Sequence, residues 1–147
     1  MNKVIFLISN FIITILINLQ TVCAYNSVKK FTISGTITNI IPGKTVYVAM
    51  YSSSDNFDKL EFYKKLRFLD EQVNFDTLYY SFSNVEKGEY IIAAYQDLNS
   101  DGKLNMGLFG PLEPYRVFKT NYIFKPKFTK CKFLVENDMD NINIILK

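Results

Sequence analysis

The sequence predicts an all-β domain, a β-sandwich of about seven antiparallel strands. Three observations carry that prediction. From Lys30 to Asn39 the chain alternates: Phe31, Ile33, Gly35 and Ile37 fall on one side, and Lys30, Thr32, Ser34, Thr36 and Thr38 on the other. This period of two is that of a half-buried strand. Tyr90 to Tyr95 is apolar on both faces, which suits a central strand covered from both sides. The 13 Phe and 10 Tyr supply bulky side chains for a two-layer core.

The first segment is not part of that fold. Met1-Asn2-Lys3 is a short basic start, and Val4 to Ile17 is apolar except for Ser9, Asn10 and Thr14. Val22-Cys23-Ala24 then provides the small-residue site of a secretory signal peptide. Cleavage is expected after Ala24, leaving one domain over residues 25–147 in the periplasm or outside the cell. An uncleaved anchor is the weaker reading, because the apolar run is short for a membrane span. Lipidation at Cys23 is disfavoured by Val22 before it.

Further strands are expected at Thr45 to Tyr51, with Val46, Val48 and Met50 on one face, and at Leu78 to Val85, with Leu78, Tyr80 and Phe82 aligned. Pro42-Gly43 and Glu86-Lys87-Gly88-Glu89 mark turns. Between Asp55 and Asp70, Phe62, Leu66 and Leu69 have helical spacing and Asp58 is placed to cap. A short helix is therefore preferred there over an irregular crossover. Cys131 to Val135 and Asn141 to Leu146 close the chain as two strands around the polar turn Glu136 to Asp140. Cys131, on a face with Phe133 and Val135, is expected as a small buried residue rather than a reactive thiol.

Charge and composition exclude several functions. Lys and Arg number 17 against 14 acids, a net charge of +3, which falls to +2 if Lys3 is removed. That balance demands no nucleic-acid partner. The absence of His excludes Ser-His and Cys-His nucleophile systems and His-ligated zinc. No glycine-rich phosphate loop occurs. No catalytic or cofactor-binding residue is assigned, and the chain is read as a non-enzyme.

One stretch carries recognisable site chemistry. In Asp97-Leu98-Asn99-Ser100-Asp101-Gly102-Lys103-Leu104-Asn105, oxygen-bearing side chains recur at alternate positions before a glycine, as in the first half of an EF-type calcium loop. Asp97, Asn99 and Asp101 would occupy positions one, three and five. Lys103 would offer its carbonyl at seven, and Asn105 would stand at nine. Position twelve is Leu108, so the usual bidentate acid is missing, and Glu113 is the residue placed to fold back in its stead. A hydrogen-bonded turn explains the same residues without an ion. Both readings stand at this point.

The stretch Tyr115 to Lys132 has Arg116, Lys119, Lys125, Lys127, Lys130 and Lys132 and no acid. Arg116, Lys119, Lys125 and Lys127 form a candidate surface for an envelope glycan or another anionic surface. The competing reading is an edge strand whose lysines discourage edge-to-edge pairing.

Several of these blocks occur together in a known order. Val85-Glu86-Lys87-Gly88-Glu89-Tyr90-Ile91-Ile92-Ala93 resembles the hairpin of prealbumin-like and carboxypeptidase-regulatory-like sandwich domains. The Asp97–Asn105 loop, Gly110-Pro111, Glu113-Pro114-Tyr115, Pro126-Lys127-Phe128 and a closing apolar strand follow in order. From Phe31 to Lys147 the chain resembles the secreted bacterial domain-of-unknown-function 2141 family. It departs from the family pattern at Arg116-Val117-Phe118-Lys119, where a Gly-Phe-Ser-Asn-like stretch is usual, and in having proline directly after Gly110. The resemblance implies export and an Ig-like or prealbumin-like sandwich, and brings no reaction with it. The expected function is an exported, non-catalytic binding or structural module of the bacterial periplasm or cell envelope, with a weak calcium loop if the ion reading holds. The alternatives are a hydrolase of envelope glycans that pairs Glu113 with Asp97 or Asp101, and a carrier of a small apolar ligand inside the sandwich.

Overall fold

The computed structural model describes residues 28–120 and 126–147. The expected signal peptide over residues 1–24, its cleavage site, Cys23 and Lys125 lie outside the described residues. The described chain is all-β, with few helical turns. Its strands are β1 (Lys30–Thr38), β2 (Val46–Tyr51), β3 (Lys64–Phe68), β4 (Thr77–Glu86), β5 (Gly88–Gln96), β6 (Met106–Gly107), β7 (Gly110–Pro111), β8 (Tyr115–Val117), β9 (Phe133–Val135) and β10 (Ile144–Ile145). Two short helices are added, α1 (Ser54–Lys59) and α2 (Phe128–Cys131).

β1 lies between β10 and β4, while β2 and β5 are the middle of a second sheet ordered β3-β2-β5-β8, with β9 also paired to β5. The alternation of β1 turns Phe31, Ile33 and Ile37 into the core. The inward residues of β2 (Val46, Val48, Met50), of β4 (Tyr80, Phe82, Val85) and of β5 (Tyr90, Ile92, Ala94) share the same apolar cluster with Phe133, Val135, Ile144 and Leu146. One core is thus built from strands of both sheets. Between the Phe31–Val85 and Ile33–Phe82 pairs, β4 carries an extra residue, and Asn84 there has φ of 56°, as a bulge that accentuates the local twist requires.

Three expectations are corrected. The helix covers only Ser54–Lys59 and is capped by Ser53, whose side chain accepts from the Asn56 N–H, not by Asp58. It stops at Leu60, which adopts a left-handed conformation with φ of 59°. Beyond it, Lys64–Phe68 extends along the free edge of β2, where the ladder satisfies its backbone. In that strand the half-buried Leu66 and Phe68 alternate with the exposed Lys65 and Arg67. Helical spacing of Phe62, Leu66 and Leu69 therefore lost to a pattern of period two that overlaps it. Secondly, Cys131 is buried as expected but ends α2, and it belongs to a different cluster from Phe133 and Val135. Thirdly, the strands are not all antiparallel, since β10 runs parallel to β1. β9 pairs with β5 and the closing segment lies beside β1, so the connection changes sheets, and no hairpin dictates its direction.

Candidate functional site

The outer face of the β3-β2-β5-β8 sheet is unlike an ordinary solvated face. Register places Arg67, Tyr47, Tyr95 and Tyr115 in one cross-strand row and Lys65, Ala49, Ala93 and Val117 in the next. Phe57 of α1 and Phe128 and Cys131 of α2 cover part of this face, packing with Tyr51, Ile91 and Val117. Over the facing Ala49 and Ala93 the short side chains leave a groove of ≈ 470 Å³. A volume of that size suits a small organic ligand. Tyr51, Tyr95 and Tyr115 flank the alanine floor. Leu60, Phe62 and Lys65 close one side, and Gly102, Lys103, Leu104, Met106 and Pro111 form the rest of the wall.

The walls are held in place. Tyr47 and Tyr95 stack with ring centroids 4.8 Å apart. The Tyr95 hydroxyl donates to the Gly102 carbonyl at 3.3 Å, tying the loop to the sheet. The Lys65 ammonium lies 4.4 Å from the Tyr47 ring centroid and 4.9 Å from that of Phe62, at cation–π range. Burial and the neighbouring Arg67 lower the pKa of Lys65. Burial raises the hydroxyl pKa of Tyr51, Tyr95 and Tyr115, so these phenols stay neutral.

The loop that forms one wall is the Asp97–Asn105 stretch. Buried Asp97 accepts from the Asp101 N–H at 3.2 Å and the Gly102 N–H at 2.8 Å. Asn99 Oδ1 accepts from the same Asp101 N–H, also at 3.2 Å. Asp101 in turn accepts from the Lys103 N–H at 2.9 Å and from the side chains of Asn105 at 2.9 Å and Asn99 at 3.1 Å. The Asn105 and Lys103 donors hold the Asp101 carboxyl below its usual range. Gly102 has φ of 78°, which a glycine adopts without strain.

Glu113 does fold back onto this loop. It is buried, and its two oxygens accept from the Leu98 N–H at 2.8 Å and the Asn105 N–H at 3.1 Å. It braces both ends of the loop through the backbone. Asp97, Asn99, Asp101 and Asn105 are thereby brought together, and Lys103 contributes its N–H. Among the described residues, no group of three or more His, Cys, Asp and Glu side chains gathers in an ion-holding arrangement. Leu108, at the twelfth position, stands exposed at the tip of the β6–β7 hairpin.

The proposed basic surface is broken up. Arg116 is buried, and it donates to the Thr120 carbonyl at 3.2 Å and the Ile145 carbonyl at 3.4 Å. It joins β8 to the chain's last segment instead of facing a partner. Lys119 and Lys127 are exposed, and Lys125 lies outside the described residues. The groove itself escaped sequence reading. Its signal was the alanine in each of two tyrosine-bearing strands, Ala49 between Tyr47 and Tyr51 and Ala93 before Tyr95, but only the β2–β5 register makes the two face each other.

A family model described as an uncharacterized protein conserved in bacteria matches residues 36–143. No curated protein and no solved structure matches the chain.

Proposed function

We propose, for a chain that belongs to the DUF2141 family of proteins conserved in bacteria, the function of an exported, non-catalytic binding module of the periplasm or cell envelope, which holds a small, largely apolar ligand over Ala49 and Ala93. The groove carries this reading: an alanine floor between tyrosine walls, open to solvent and built on a rigid sheet. The apolar core shared by strands of both sheets supports the Ig-like or prealbumin-like sandwich, and the Met1–Ala24 pattern supports export. The engagement of both Glu113 oxygens with backbone N–H groups favours a bracing carboxylate over the acid or base of a glycan hydrolase. The carrier reading is retained, with its ligand on the outer face of the sheet instead of between the sheets.

The test uses a neutral apolar fluorophore, N-phenyl-1-naphthylamine. Saturable binding at one site per chain is expected. Ala93→Leu, which fills the floor, is expected to weaken it at least about tenfold, a loss of about 1.4 kcal/mol. Thermal unfolding of the variant monitors its fold, and Met106→Ser at the rim, in the β6–β7 hairpin, provides a second variant outside the β3-β2-β5-β8 sheet. Binding that neither substitution alters would remove the groove from the function.

A second reading belongs to the loop. Asp97 and Asn99 oxygens converge on one N–H, and Asp101 and Asn105 sit against each other. Oxygens from three loop positions, Asp97, Asn99 and Asp101, are therefore gathered in advance. This supports a weak calcium site of Asp97, Asn99, Asp101, the Lys103 carbonyl and Asn105, with Glu113 as its brace and Asn105 turning its amide to present oxygen in place of the nitrogen that now meets Asp101. A site with Kd of about 1 mM gains about 1.4 kcal/mol at about 10 mM calcium. The expected result is a rise of about 3–5 °C in the unfolding midpoint, absent in Asp101→Ala. Identical melting with and without calcium would leave the loop as a hydrogen-bonded turn.

A further inference from the structure

We infer that the occupant of the groove is a small organic anion, a flat apolar body bearing one carboxylate-like group, with the body over Ala49 and Ala93 and the charge directed at Lys65 and Lys103. This rests on the binding reading above and specifies its ligand.

The shape argues for a flat body. Ala49 and Ala93 pair directly across β2 and β5, and the larger side chains of Tyr51, Tyr95 and Tyr115 rise beside them. A slot of this form accepts a ring or a planar chain, and tyrosine faces reward it by stacking. The hydroxyls of these tyrosines stay neutral, so they do not repel an anion, and that of Tyr95 is engaged with the Gly102 carbonyl.

The charge argues for an anion. Among the described residues, two ammonium groups and no carboxylate line the groove. Lys65 pairs across the ladder with Ala49, so its stem rises from the edge of the floor. Its ammonium is steadied by the rings of Tyr47 and Phe62, and no carboxylate among the described residues forms an ion pair with it. A cation fixed in position by rings and beside Arg67 gains from an incoming anion what its own surroundings do not provide. Lys103 has Asp101 as a charged neighbour, which makes Lys65 the principal anchor and Lys103 the second.

The test compares two probes of equal shape, 2-naphthoate and its uncharged counterpart 2-naphthamide, by isothermal titration calorimetry on the folded domain. The expected result is naphthoate binding about tenfold tighter, as one charge-assisted contact provides. The Lys65→Met and Lys103→Met double variant should reduce that preference to within about twofold, the ratio of the two affinities measured on the same variant being the readout. Equal affinity for the two probes, or a preference that survives the double variant, would overturn the anion assignment and leave the apolar binding site standing. Binding of neither probe would overturn both. Naphthoate that fails to bind while phosphatidylglycerol vesicles sediment the protein would overturn it as well, in favour of a membrane surface.

Discussion

Gly35→Ala is expected to lower the unfolding midpoint by roughly 10–15 °C, from a loss of about 3–5 kcal/mol. Gly35 lies in β1 where the returning C-terminal segment crosses closest. A Cβ there would overlap the Ile142 carbonyl oxygen and lie 2.5 Å from its carbon and 3.0 Å from its nitrogen. Backbone cannot rotate out of the way as a side chain can. Ile142 is also fixed on both sides of that contact: its N–H donates to the Ser34 carbonyl at 3.1 Å, and its carbonyl accepts from the buried Tyr80 hydroxyl at 2.6 Å. Tyr80 is the cross-strand partner of Gly35, so its ring fills the space beside the missing side chain. Alanine would have to push Met139–Asn143 off β1 and break the Tyr80 bond together. Circular dichroism melts measure the shift, and amide exchange at Ile142 and Ile144 should accelerate in the variant. A midpoint within about 3 °C of the parent would show that the close approach does not hold the two segments together.

Gln96→Leu carries the second large effect, about 2–4 kcal/mol. Gln96 is fully buried at the end of β5. Its side chain accepts from the Ile41 N–H at 2.9 Å and donates to the carbonyls of Ile41 at 2.7 Å and Lys44 at 3.2 Å. It therefore replaces the strand ladder for the turn between β1 and β2, and among the described residues no other backbone group pairs with those atoms. Leucine fits the volume but leaves these part-buried polar groups without their partner. The backbone N–H of Gln96 donates to Pro114 and that of Asp97 to Thr45, so the disturbance should reach the calcium-like loop. Denaturant unfolding gives the stability change. An unchanged midpoint would mean that water enters the turn and serves its backbone equally well.

Much of the fold was legible because it is written in local patterns. Lys30–Asn39, Thr45–Tyr51, Leu78–Val85 and Tyr90–Tyr95 all became strands, since alternation and apolar runs state which faces are buried without reference to the partner. Asp55–Asp70 was misread because Leu66 satisfies both a helical and a strand period, and the free edge of β2 decided between them. The loop was visible in Asp97, Asn99, Asp101 and Gly102, and Glu113 was singled out as a residue able to fold back, which it does onto the loop's backbone. That Glu113 serves two N–H groups could not be read from spacing, because it depends on how the β6–β7 hairpin returns. Arg116 looked like a surface charge for a similar reason: its carbonyl partners, Thr120 and Ile145, are 4 and 29 residues away.

By itself, the sequence determined the all-β class, the strands with clear alternation, the family and the oxygen-rich turn. Each of these rests on the order of neighbouring residues, and the side-chain period of a strand is a property of the local backbone. The tertiary structure alone decided that Ala49 faces Ala93, that Lys65 stands at the edge of that floor, and that Ile142 lies against Gly35. Those are matters of register between segments far apart in the chain, and a slip of one residue would turn the same side chains to the opposite face of the sheet.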